Sequence, residues 1–161
     1  MNQVYLLLGA NLGARELQLQ HARLHIEESI GKLANSSHLY ETEAWGVTDQ
    51  PTFINQVLLV ETVYSPQEIL RRTQLIEDKL GRIRTEKWGA RVIDIDILYF
   101  NADIINEENL FIPHPLLQER NFVLIPLSEI APQFIHPILG QTNQSLLYNS
   151  PDSSVVHLLN N

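Results

Sequence analysis

Along the chain the first clear pattern is a short apolar run at residues 4–8, closed by Gly9. A run of that length bounded by glycine predicts a buried strand. Asn11 then stands as an N-cap for a helix reaching about Ile30, with Leu19, Ala22, Ile26 and Ile30 on one face and Gly31 as the residue that closes it. Residues 37–42 read as a second strand and 53–62 as a third, the latter apolar throughout 57–60. Ser65-Pro66-Gln67-Glu68 is a capping box with proline at the first helical position. The helix it opens runs to about Leu80, with Ile69, Leu70, Thr73 and Ile76 inward, and Gly81 ends it. Residues 43–52 and 82–89 carry turn formers and no long period, so both read as loops.

The last regular stretch is the most informative. In residues 88–100, WGARVIDIDILYF, Ile93, Ile95 and Ile97 alternate with Asp94 and Asp96. A period of two predicts a strand with both aspartates on one face and the isoleucines on the other. The order is then β-α-β-β-α-β. It predicts an α+β, ferredoxin-like antiparallel sheet with both helices on one face. Residues 101–161 are less regular. A short strand at 104–105, a stiff segment Ile112-Pro113-His114-Pro115, a helix within 119–130 and a loosely held polar tail from Ser150 are expected.

Composition narrows the class. With 161 residues and 44% hydrophobic content, one globular domain over 1–161 is expected. There is no cysteine, hence no disulfide framework and no thiolate chemistry. The run at 4–8 is too short for a signal segment or a membrane span, so a cytoplasmic protein with no membrane partner is expected. The net charge of −8 argues against general nucleic-acid binding. Yet seven of the eleven Lys and Arg residues fall in 71–91 beside three acids, a local charge of +4 on a remainder of −12. Such a segment suits a compact anionic ligand, or else is a solvated helix end and loop.

On a strand the two aspartate Cα atoms stand roughly 6.5–7 Å apart at about 3.3 Å rise per residue. Two converging carboxylates suit a hard cation such as Mg²⁺, one ion or two at roughly 3.5–4 Å spacing. The plainer reading is a pair of acids facing solvent. Trp45, in a loop, reads either as a contact over a ligand or as a ring folded back on the core. His114, held between two prolines, is by itself a capped or core histidine as readily as a ligand group.

The motifs taken together resemble the 6-hydroxymethyl-7,8-dihydropterin pyrophosphokinase family. The carrying stretch is Lys87-Trp88-Gly89-Ala90-Arg91-Val92-Ile93-Asp94-Ile95-Asp96-Ile97-Leu98, supported by Leu8-Gly9-Ala10-Asn11-Leu12-Gly13, Gly81-Arg82-Ile83-Arg84, Pro113-His114 and Arg120-Asn121-Phe122. The resemblance implies transfer of pyrophosphate from ATP to the hydroxymethyl group of the pterin, with release of AMP. It implies two Mg²⁺ ions on Asp94 and Asp96, and loop arginines Arg82 and Arg91 on the transferring group. Gln74, Glu77, Arg84, Trp88, His114 and Arg120 are implied on the nucleotide. Thr42, Trp45, Phe53, Asn55 and Phe122 are implied on the pterin, with the two rings as a sandwich. A monomer is expected. Three positions depart from the family pattern: Phe53 where tyrosine is frequent, Glu43-Ala44-Trp45 after Thr42, and Asn109 where an arginine often precedes the histidine. Outside that family, a ferredoxin-like small-molecule sensor or RNA-binding module, or a metal-dependent phosphohydrolase using the same carboxylates, would fit the fold.

Overall fold

The computed structural model describes residues 1–43, 51–81 and 92–159. Strand β1 (Asn2–Ala10) is an interior strand of the sheet. It pairs antiparallel with β4 (Phe53–Thr62) on one side and β5 (Asp94–Phe100) on the other. Its even and odd positions serve different cores. Val4, Leu6 and Leu8 pack with Leu19, Ala22 and Ile26 of α1 (Arg15–Ser29) and with Ile69 and Ile76 of α2 (Pro66–Lys79). Tyr5 and Leu7 pack on the opposite side. This double burial is why residues 4–8 read as a continuous apolar run rather than an alternating one.

The expected β-α-β-β-α-β order is present, with its second strand in two pieces. Both β2 (Lys32–Ser36) and β3 (Tyr40–Thr42) pair with β4, where a single strand at 37–42 was expected. The break has a local cause. Ser37 Oγ accepts the Val57 N–H at 3.0 Å, and the Gln56 amide donates to the Ser37 carbonyl at 2.7 Å. Side chains thus replace ladder bonds at the bend.

The helix ends also differ in detail. Asn11 is fully buried and does not cap α1, which begins at Arg15 after Gly13 takes a left-handed φ of 70°. A left-handed residue between Asn11 and Arg15 stops the helix from starting earlier. Gly31 follows the last residues of α1 as expected, but its reason is proximity. A Cβ there would lie 2.0 Å from the Glu61 carbonyl oxygen of β4. Ser65 caps α2 by accepting the Glu68 N–H at 3.2 Å. The Glu68 carboxylate goes to Arg71 and Arg72.

The largest difference lies after residue 100. The supposedly irregular extension contains a hairpin of β6 (Ile105–Glu107) and β7 (Leu110–Ile112), then α3 (Asn121–Ile130) and α4 (Asn143–Tyr148). Leu124 and Leu127 of α3 and Leu146 of α4 cover the sheet face opposite α1 and α2, against Leu7, Leu98 and Tyr99. The tail is not loose. Strand β8 (Val156–Leu158) pairs with β3, and Leu159 donates its N–H to the Leu39 carbonyl at 2.9 Å. Val156 to Leu158 meet the open edge of the sheet at residues 40–42, and that pairing outweighs the polar residues before it.

Strand β5 contains one irregularity. Tyr5 pairs with Tyr99 and Leu6 with Ile97, so Leu98 is an extra residue. Its carbonyl accepts the His114 N–H at 3.0 Å.

Helix α3 is tied to β3 by Glu129, which accepts hydrogen bonds from the Tyr40 hydroxyl at 2.5 Å and from the His38 N–H at 3.1 Å. Burial first, then the Glu129 carboxylate, pushes the Tyr40 phenol up to about 12. A raised folded-state pKa contributes stability that is complete below the ordinary value near 10 and is lost as pH rises toward 12. Wild-type protein should therefore be more stable than Tyr40→Phe at pH 8, with the gap closing by pH 12, as read by urea unfolding at several pH values. A gap independent of pH would contradict this assignment.

Candidate active site

The second sheet face is not wholly covered. At the end of β1 near Gly9, α3 leaves a pocket of about 300 Å³. Its floor is a row across three strands, because Gly9 pairs with both Asn55 of β4 and Asp94 of β5. Leu7, two positions earlier on the same face, pairs with Asp96. The row explains the glycine. A Cβ on Gly9 would lie 2.7 Å from Asn55 Nδ2. Its absence leaves the floor clear between an amide and a carboxylate. The Asn55 amide donates to the Leu8 carbonyl at 3.2 Å, while its buried Oδ1 has no hydrogen-bond partner among the described residues. A buried acceptor without a partner is costly, which makes it a natural contact for a ligand N–H.

The walls come from other elements. Asp94 is half-buried and Asp96 exposed, and both line the pocket. Thr42 pairs with Phe53 at the ends of β3 and β4, and both line it, as does Glu43. Arg120 and Phe122, where α3 begins, close the other side, with the Arg120 guanidinium carbon 5.7 Å from the Phe122 ring centroid. The structure thus brings seven expected residues into one pocket: Thr42, Phe53, Asn55, Asp94, Asp96, Arg120 and Phe122.

Three expected nucleotide residues are not in its lining. Gln74 is exposed on α2. Glu77 is 5% exposed, and its Oε2 accepts the backbone N–H of Ile95 at 2.9 Å. It braces β5 at the residue between the two aspartates. Glu77, expected on the nucleotide, thus gives its Oε2 to the backbone of β5 and stands outside the pocket lining. His114 lies beside the pocket rather than in it. Burial lowers its pKa, the Asp96 charge opposes that, and Arg120 reinforces it. The ring is accordingly neutral at pH 7. Its Nδ1 accepts the Leu116 N–H at 3.3 Å, which assigns the ring proton to Nε2. Trp45, Arg82, Arg84, Trp88 and Arg91 lie outside the described residues.

Leu7, Gly9 and Glu43 line the pocket without having been expected there. The signal for Gly9 was available, since a glycine ending an apolar strand often marks close approach. Among the described residues no three His, Asp or Glu side chains converge as a metal cluster. Two carboxylates on an open face nevertheless match what Mg²⁺ takes from a protein when substrate phosphates and waters complete its shell.

A family model described as 7,8-dihydro-6-hydroxymethylpterin-pyrophosphokinase matches residues 5–132. The chain belongs to this pyrophosphokinase family. Transfer of pyrophosphate from ATP to the hydroxymethyldihydropterin, in folate biosynthesis, is its reaction. Relatives agree. A 2-amino-4-hydroxy-6-hydroxymethyldihydropteridine pyrophosphokinase of Aquifex aeolicus is 42% identical over 138 residues, covering 86% of each chain. One of Bacillus subtilis is 43% identical over 134 residues, covering 82% of this chain and 80% of its own. The folic acid synthesis protein FOL1 of Dictyostelium discoideum is 40% identical over 156 residues, but this chain spans only 24% of it. A crystal structure of wild-type HPPK-DHPS from Plasmodium falciparum superposes with a TM-score of 0.74 at 20% identity, over 91% of this chain and 44% of that one. That likeness supports the fold of the pyrophosphokinase. No helix among the described residues is long and apolar enough to cross a membrane.

Proposed function

We propose that the pterin is held between Phe53 and Phe122, and that Asp94 and Asp96 hold the Mg²⁺ ions, two of them, that accompany ATP. The observation that carries this reading is the single row Asn55, Gly9, Asp94. It puts a buried acceptor, unpartnered among the described residues, and a carboxylate on either side of Gly9, and Phe53 and Phe122 line the same pocket. A flat heterocycle with ring N–H groups fits that pocket, stacked on the rings and read by Asn55 Oδ1. Its hydroxymethyl group would then face the carboxylates. Bound there, Mg²⁺ would neutralise phosphate charge and stabilise the oxygens of an in-line displacement at the β-phosphorus. Arg120 offers a fork of donors to the triphosphate, and neutral His114 offers its Nε2–H. Arg82 and Arg91 are assigned to the transferring group, Arg84 and Trp88 to the nucleotide and Trp45 to the pterin, all through their match to the family motifs.

A single pyrophosphokinase domain over 1–161 acting as a monomer belongs to the same proposal. A cytoplasmic setting is likewise part of the proposal.

The test is an end-point assay with ATP, Mg²⁺ and 6-hydroxymethyl-7,8-dihydropterin that separates AMP from ADP. AMP should form only with the pterin, vanish on chelation of Mg²⁺ and return on its addition. ADP or free phosphate without pterin would move the carboxylates to a phosphohydrolase.

A further inference from the structure

Helix α3 starts without a local cap. Its N-cap residue is Arg120, whose side chain makes no capping bond. The missing acceptor comes from 31 residues away. Asp152 Oδ2 accepts the Asn121 N–H at 2.8 Å, and the Asn121 side-chain amide donates to the Asp152 carbonyl at 3.0 Å. The Asp152 carboxylate is itself fixed, since its Oδ1 accepts the Ser154 N–H at 2.8 Å. Arg120 lies within electrostatic reach of it. Four residues on, Val156 of β8 pairs with Thr42. One short stretch of the tail therefore holds both the Arg120-Phe122 side of the pocket and the Thr42 side. It lies beyond residues 5–132, the part matched by the family model.

We propose that Asp152 is a positioning residue for the pterin subsite, acting through the N-terminus of α3 to fix where Phe122 and Arg120 stand. A carboxylate at a helix N-terminus satisfies an otherwise unpaired N–H and is favoured by the helix dipole. Losing it leaves the first turn of α3 able to fray, and that turn is the one that presents the ring. The inference rests on the reading that Phe122 contacts the pterin.

The experiment compares wild type with Asp152→Ala, Asp152→Asn and Phe122→Ala in steady-state kinetics and thermal unfolding. Asp152→Ala should raise KM for the pterin about tenfold, the scale of one charge-assisted hydrogen bond, with kcat within about threefold. Asp152→Asn keeps an acceptor without the charge and should raise it about threefold. A wild-type KM in Asp152→Ala overturns the proposal whatever its melting temperature, because a purely structural cap would move only stability. If the alanine variant does not fold, the asparagine variant decides, and a wild-type KM there overturns it. Phe122→Ala separates the two levels. If that variant also keeps a wild-type pterin KM, the pocket reading itself falls.

Discussion

Asp96→Ala is expected to lose activity by roughly 10³-fold or more while the protein stays folded, the scale of removing one electrostatic stabiliser from a reacting centre. The structural side of that expectation is direct. Asp96 is exposed, on the outermost strand of the sheet path, and its side chain faces the pocket rather than either core. Removing it opens no cavity and relieves repulsion between two like charges on one strand face. Stability should therefore change by about 1 kcal/mol or less, since Asp96 belongs to neither apolar cluster. Functionally, the loss removes half of the carboxylate pair proposed to hold Mg²⁺. Turnover measured beside circular dichroism and a thermal melt checks both halves. Normal turnover in folded Asp96→Ala would dismiss the metal assignment for this pair. An unfolded variant would mean that Asp96 has a structural role the fold does not show.

Gly31→Ala is expected to have the opposite profile, a large loss of stability with chemistry intact in whatever protein folds. The added Cβ would meet the Glu61 carbonyl oxygen at 2.0 Å, its carbon at 2.9 Å and the Thr62 Cα at 3.1 Å. All three are backbone atoms of β4, and Glu61 is paired on both sides, with Gln3 and with Lys32. A flexible side chain would swing away, but a strand clamped between two neighbours cannot. We expect a cost of about 3 kcal/mol or more, the upper range for overpacking. At this chain length that corresponds to a fall of roughly 10 °C in melting temperature. Gly13→Ala is the control. Its φ is 70° but nothing lies within 4 Å of the added Cβ, so it should cost only about 1 kcal/mol through backbone strain. Equal melting temperatures for the two variants would show that the close approach at Gly31 relaxes.

What was legible in the sequence follows physical lines. The alternation Ile93-Asp94-Ile95-Asp96-Ile97 predicted the strand, its two faces and the convergence of the carboxylates, because a period of two dictates all three. Ser65-Pro66 predicted the start of α2, because a cap is a local interaction. What stayed hidden depended on distant parts of the chain. Nothing near Glu77 announces that its carboxylate bonds the Ile95 backbone, 18 residues on. Nothing near Ser150 announces that the tail joins the sheet, since the edge it pairs with is formed by residues 40–42. The break between β2 and β3 was invisible for the same reason, as Gln56 and Val57 supply the bonds that replace the ladder. Gly31 was placed correctly for an incomplete reason, because sequence shows a helix end but not the neighbour pressed against it.

The extra residue in β5 has a consequence for how this chain tolerates changes of length. Ahead of Leu98 the odd-numbered isoleucines face α1 and α2; beyond it the parity reverses, so that Tyr99 faces α3 and Phe100 the other helices. The strand is in effect two half-strands of opposite phase joined at one residue. Removing Leu98 would join those halves in plain alternation, with Asp94, Asp96 and Tyr99 still on the pocket side and Ile97 and Phe100 still toward α1 and α2. The strand would lose a buried apolar side chain and the carbonyl that accepts the His114 N–H, but neither the carboxylates nor the 2.7 Å bond from Tyr99 to Asn143 would change sides. Loss of this one residue should therefore cost stability and loosen the hold of β5 on the segment at His114 without turning any side chain over. The spare link in the strand serves the segment beside the pocket rather than the sheet itself.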